Sequence, residues 1–234
     1  MKRIVIVLAL VVLSTAAVQA ESGIYVKGEL AYSSAFDAGL DNERATTTVN
    51  DDQLAAGSKL DNIGNGASFG VGVGYVFNQY LRADITGYVR SGYEIDDSSF
   101  NGAQEFSGDI DSKAILVNLY VQKEFGRFVP YVGVGLGYSK NEIDSFSYTS
   151  GGLKGKGPGN DESGFAWQVA AGVGFKLTEK LFLDFEYRYA DLGEISVGKG
   201  ENDLTEFGLG KVDLEGIKGD LRVQEAVLGL RYVF

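Results

Sequence analysis

Eight stretches of this 234-residue chain alternate apolar and polar side chains, and one face of each carries no charge along its middle. They are Ile24–Ser34, Ser68–Val76, Leu81–Arg90, Ser112–Lys123, Phe128–Lys140, Gly164–Leu177, Leu181–Ala190 and Leu221–Phe234. A period of two is the mark of a β-strand with two unlike faces. Most of these stretches reach the roughly 9–11 residues that a tilted strand needs to cross a bilayer, against roughly 5–6 for a soluble strand. No long segment has a convincing helical period.

The connections sort by length. FNQY (77–80), EFGR (124–127) and LTEK (177–180) are tight, whereas 35–66, 91–111, 141–163 and 191–220 are long. Three short connections on one side and four long ones on the other predict an all-β fold, an eight-stranded antiparallel up-and-down transmembrane β-barrel with periplasmic turns and extracellular loops. A repeat supports the register: Gly72, Val73, Gly74, Leu81 and Asp84 recur at an offset of 100 as Gly172, Val173, Gly174, Leu181 and Asp184. The shared spacing points to two hairpins of one geometry.

Residues 1–20 read as a secretory signal peptide: a basic MKR, the apolar IVIVLALVVL and a small-residue exit STAAVQA, with cleavage after Ala20. The apolar stretch is shorter than the roughly 20 residues of a spanning helix. Residues 21–234 are then one outer-membrane barrel domain. Without cysteine there is no disulfide, thiol chemistry or lipid-modified Cys.

A lipid-facing stripe must keep charge away from the bilayer centre. The outward sets include Val26, Leu30 and Tyr32; Val71 and Val73; Ile115, Val117 and Leu119; Val134, Leu136 and Tyr138; and Phe185 and Tyr187. The charges of that parity, Lys113, Lys123, Lys140 and Arg222, stand at strand ends, where the cost of about 2–4 kcal/mol at the midplane falls toward zero. Aromatics gather near both ends, with Phe77, Phe128, Phe175, Tyr232 and Phe234 on the periplasmic side and Tyr32, Tyr138, Trp167 and Tyr189 on the other, as interfacial girdles do.

The opposite parity collects the charges: Lys27, Glu29, Arg82, Asp84, Arg90, Asp184, Glu186, Arg188, Glu225 and Arg231. Complementary strands present Gly70, Gly72 and Gly74, Gly133, Gly135 and Gly137, and Gly172 and Gly174. Eight strands enclose a space that side chains can just fill. A charge-paired plug is therefore expected. A selective conduit through the same groups is the alternative.

Catalysis finds little support. With no histidine and no cysteine, serine–histidine and cysteine–histidine mechanisms are excluded, as are ordinary zinc sites. Asp184 and Glu186 share a face beside Arg188, which suits structural pairing better than glycoside chemistry. The net charge of −11 argues against nucleic-acid partners. The four long connections hold 24 of the 32 acidic residues and 7 basic ones, a net of −17. Asp51–Asp52, Asp96–Asp97 and Asp161–Glu162 lack the spacing of a dedicated calcium site, and solvation is the simpler reading. No metal and no cofactor is implied.

FVPYVGVGLGYS (128–139), GFAWQVAAGVGFKLTEKLFLDFEYRYADLG (164–193) and the closing VLGLRYVF (227–234) resemble the opacity-type surface antigens, the porin-like outer-membrane β-barrels of Gram-negative bacteria. Asn118 in ILVNLYVQ (115–122) fits the same pattern, and the resemblance is strongest over 112–234. It implies residence in the outer membrane among lipid and lipopolysaccharide. It also implies a last strand read by the barrel-assembly machinery through Leu230, Tyr232 and Phe234. The role implied is that of a structural surface antigen, with adhesion to a host surface or matrix ligand through the loops. A small passive porin with a narrow charged lumen is the alternative.

Overall fold

The computed structural model describes residues 22–36, 62–99, 104–143, 146–150, 153–157, 159–197, 200–204, 210–214 and 217–234. The expected signal peptide and Asp51–Asp52 lie outside the described residues. The strands are β1 (Gly23–Phe36), β2 (Asn62–Asn78), β3 (Leu81–Ser99), β4 (Gln104–Gln122), β5 (Phe128–Ile143), β6 (Phe146–Ser150), β7 (Leu153–Gly157), β8 (Asn160–Lys176), β9 (Leu181–Val197), β10 (Gly200–Leu204), β11 (Gly210–Leu214) and β12 (Ile217–Val233). The eight long ones, β1–β5, β8, β9 and β12, pair antiparallel in chain order, and β12 closes on β1. The product is the eight-stranded barrel that the alternation predicts.

The register fixes its shape. From Ile24 the ladder partners lead through Tyr75, Ala83, Leu119, Val134, Val169, Tyr189 and Gln224. The circuit returns to β1 at Ser34, ten positions above its start. A stagger of ten over eight strands, at ordinary strand spacings, tilts the strands by about 40° and sets a backbone radius of about 8 Å. Each residue then climbs about 2.5 Å along the barrel axis.

Tight turns join the strands at one end. The Asn78 side chain accepts from the Tyr80 N–H at 2.8 Å, Thr178 Oγ1 accepts from the N–H groups of Lys180 and Leu181, and Gly126 supplies a φ of 64°. At the other end the strands run past the expected limits. Of the predicted loop 91–111, residues 91–99 and 104–111 are β3 and β4, and the loops 141–163 and 191–220 contain β6, β7, β10 and β11. The loop 35–66 likewise gives up Ala35, Phe36 and residues 62–66 to β1 and β2. Backbone pairing needs only a neighbouring strand, so it continues above the lipid, where the outer face no longer has to be apolar.

Candidate functional site: a filled lumen

The outward parity is an unbroken apolar belt. Val117 and Leu136, register partners on β4 and β5, are 59% and 57% exposed, as large aliphatic side chains in water rarely are. By the tilt above, Phe77, Phe128, Phe175, Tyr232 and Phe234 lie within about 4 Å of the height of Ile24, and Tyr32, Tyr138, Trp167 and Tyr189 lie about 19–22 Å above it. That spacing suits an apolar band about 25 Å tall between two aromatic girdles. Tyr75 on Phe77, Phe128 on Phe175 and Tyr232 on Phe234 meet edge to face at 5.2–5.3 Å. Leu230, Tyr232 and Phe234 all point outward at the periplasmic end of β12.

Inside, the ten charged residues singled out by parity are brought together. Five cations, Lys27, Arg82, Arg90, Arg188 and Arg231, stand against five carboxylates, Glu29, Asp84, Asp184, Glu186 and Glu225, so the set is neutral. Two arginines grip one carboxylate with both nitrogens of a fork: Arg90 on Glu225 at 3.0 and 3.1 Å, and Arg231 on Asp184 at 2.9 and 3.1 Å. Arg188 is the hub. Its guanidinium bonds Glu29, Glu186 at 2.8 and 2.9 Å, and Glu225 at 3.1 Å, and it lies over the Tyr88 ring. Lys27 joins Glu29 at 3.2 Å to Asp84 at 3.1 Å.

Neutral groups complete the shell. Asp84 accepts from Asn118 at 2.7 Å, Thr86 at 2.8 Å and Tyr25 at 2.8 Å, and Gln168 donates to Asn118 at 2.8 Å. Arg82 bonds Gln122 and stacks 3.8 Å from the centre of the Tyr120 ring and 4.6 Å from that of Tyr131, which donates to Glu186. These contacts satisfy charges that would be costly to bury alone. The repeat explains part of the symmetry: Gly74 faces Asp84 on β3 and Gly174 faces Asp184 on β9, in the same register half-way round the barrel.

Three of the stave glycines make room for tyrosines. A Cβ on Gly74 would meet Tyr25 at 2.4 Å, on Gly133 Tyr120 at 2.4 Å, and on Gly172 Tyr131 at 2.7 Å. Gly70 and Gly174 yield mainly to charged chains, those of Glu29 and of Asp184 with Arg231. Tyr25 and Tyr131 escaped the sequence reading because charge, rather than inward aromatics opposite glycine, was the signal followed.

The outer half of the lumen is largely apolar. Tyr93, Ile110, Ile143, Leu192, Ile195, Leu221 and Val223 are buried in one cluster toward the outer end, with Ser33, Ser112, Ser139 and Asn141 hydrogen-bonded among them. The expected plug therefore has two layers, ionic below and aliphatic above. Between the charged side chains an interior cavity of about 10 Å³ admits the centre of little more than one water.

The chain has known relatives. The family model of the outer membrane protein beta-barrel domain matches residues 4–234. This chain belongs to that family. An uncharacterized protein of Brucella abortus is 30% identical over 195 residues, which cover 72% of this chain and 69% of the relative. The outer membrane protein PagN of Salmonella typhimurium is 21% identical over 98% of each chain. The crystal structure of Neisserial surface protein A superposes with a TM-score of 0.56 at 19% identity, covering 91% of this chain and 99% of that one. The protein is thus an outer-membrane barrel, with its outward belt in the bilayer.

Above the belt, this outer membrane β-barrel carries its exposed ion pairs. Lys140 contacts Glu142 and Asp161, each at 2.9 Å, and Lys113 contacts Glu142 at 3.1 Å. Hydrogen bonds from Lys140 and then Lys113 hold the Glu142 carboxyl below its ordinary range, and those to Asp161 and Glu142 hold the Lys140 ammonium above its own. Arg222 contacts Asp191 at 3.2 Å and Asp220 at 3.1 Å. Glu162 accepts from Ser196 at 2.6 Å and from Asn160 at 3.2 Å. Among the described residues no group of three or more potential ligands is placed to hold a metal ion.

Proposed function

We propose that this outer-membrane barrel is a non-conducting surface protein whose role is contact, made by the predominantly acidic connections that it lifts above the outer leaflet. The filled lumen carries the reading. With its ionic and aliphatic layers both packed, the barrel offers no passage among the described residues, and activity is left to the exposed end. That end holds most of the acidic side chains, so the contact favours a cationic or cation-bridged host or matrix surface.

The test is display in a non-adherent bacterial strain. Cells carrying the parent chain should adhere to epithelial monolayers or matrix-coated wells. Cells carrying a barrel with 37–61, 94–109, 144–159 and 198–216 replaced by short glycine–serine turns should not, at equal surface levels. Equal adherence by both would place the contact elsewhere and defeat the proposal.

A further inference from the structure

Lys113 on β4 and Lys140 on β5 are direct register partners on the outward face, at the outer end of the apolar belt. Like charges placed opposite each other destabilise a sheet unless an anion lies between them. Glu142 bridges the two ammonium groups, and Asp161, its own register partner on β8, adds a second contact to Lys140. Both carboxylates come from higher along the strands. Below the lysines the same face is apolar, with Ile115 opposite Tyr138 and Val117 opposite Leu136. The lysine side chains remain 56% and 43% exposed. An ammonium has three donors, of which Lys113 gives one to Glu142.

Height selects the ligand. Lys113 and Lys140 lie about 24 and 27 Å above Ile24, just past the outer aromatic girdle, where lipid headgroups begin. A soluble anion would have to pass connections with a net charge of −17. A lipid arrives sideways, beneath them. We propose that Lys113 and Lys140 bind the phosphate of an outer-leaflet lipid headgroup, with its acyl chains along the stripe of Ile115, Val117, Leu136 and Tyr138. A phosphate monoester brings about −1.5 to −2 charges and three acceptor oxygens, enough to engage both ammonium groups. The site is independent of what those connections contact.

The test uses the refolded protein in nanodiscs of phosphatidylcholine, alone or with a minor fraction of bisphosphorylated lipid A or its phosphatase-treated form. The thermal midpoint of the parent should rise by about 2–4 °C with bisphosphorylated lipid A alone, as expected for about 1 kcal/mol of linked binding in a chain of this size. Measured against its own midpoint in phosphatidylcholine, the double variant Lys113→Gln with Lys140→Gln should lose the rise. Lys123→Gln, at the periplasmic end, should retain it. An unchanged rise in the double variant would overturn the site. Equal rises with the dephosphorylated lipid would do the same, and so would a rise with inorganic phosphate in plain nanodiscs, which would indicate a free-anion site. The two lipid arms and the phosphate arm need only the parent, so they decide the matter even if the double variant folds poorly.

Discussion

Replacing Arg188 with Met tests the ionic layer of the lumen. The substitution keeps most of the length and apolar stem and removes the charge, so the void it leaves is small. Arg188 is fully buried and bonds Glu29, Glu186 and Glu225. Without it, Glu29 keeps Lys27 and Glu225 keeps Arg90, but the only described groups bonded to Glu186 are Arg188 and the Tyr131 hydroxyl. The balanced set then carries one uncompensated negative charge, centred on Glu186. Breaking a buried pair from one side costs about 3–5 kcal/mol. Removing that charge as well, with Glu186→Gln, should return about 1–3 kcal/mol through the coupling between contacting residues. The assay is equilibrium urea unfolding of the refolded barrel in lipid vesicles, followed by Trp167 fluorescence and by heat-dependent mobility in gels. The expected order of stability is parent, then the double variant, then Arg188→Met alone. A loss below about 1 kcal/mol for the single variant, or a double variant less stable than the single, would refute the ionic account.

Three further outcomes follow from the same geometry. Gly137→Ala should destabilise by about 1–3 kcal/mol in the same urea assay, because its Cβ would stand 2.0 Å from the Ile115 carbonyl oxygen. Gly28→Ala, where a Cβ meets nothing within 4 Å, should be neutral or better, and equal losses at both sites would contradict the close approach. Val117→Arg, near the middle of the belt, should cost about 2–4 kcal/mol of folding stability in vesicles, and an unaffected variant would mean that this face does not meet lipid. Glu142 has a carboxyl held below 4.5, so the stability from its lysine contacts is present above that value and is lost as pH falls through the folded value. Any advantage of the parent over Glu142→Gln at about pH 7 should shrink as pH falls below 4.5 in urea titrations, and a constant difference would rule out that origin.

Parity carried most of the fold. The outward stripe could be followed through all eight barrel strands because lipid admits no exception near its centre, and Lys113, Lys140 and Arg222 marked where that demand ends. The aliphatic layer was hidden for a different reason. On β3 the buried positions step from Tyr88 and Arg90 to Tyr93, and on β9 from Ala190 and Leu192 to Ile195. Bulges with Gly92 at φ 88° and Gly193 at φ 77° insert the extra residue in each case. One inserted residue exchanges the two faces, so a strict period of two fails where the strands leave the membrane. Tyr93 and Ile195 consequently fall out of parity, whereas Ile110, Ile143 and Leu192 keep it and read as loop because the outward neighbours Asp109, Asp111, Glu142 and Asp191 end the apolar stripe. The ion pairs were hidden because pairing depends on the ten-residue stagger, which brings Arg188 beside Glu29, 159 positions away in the chain.

The claim that the lumen is closed is tested most directly by single-channel conductance of residues 21–234, refolded and inserted in a planar bilayer, with insertion confirmed independently. The account predicts silence from the folded protein, because the ionic and aliphatic layers together leave no continuous water path. Steady, reproducible steps from the parent chain would contradict it and establish the barrel as a pore.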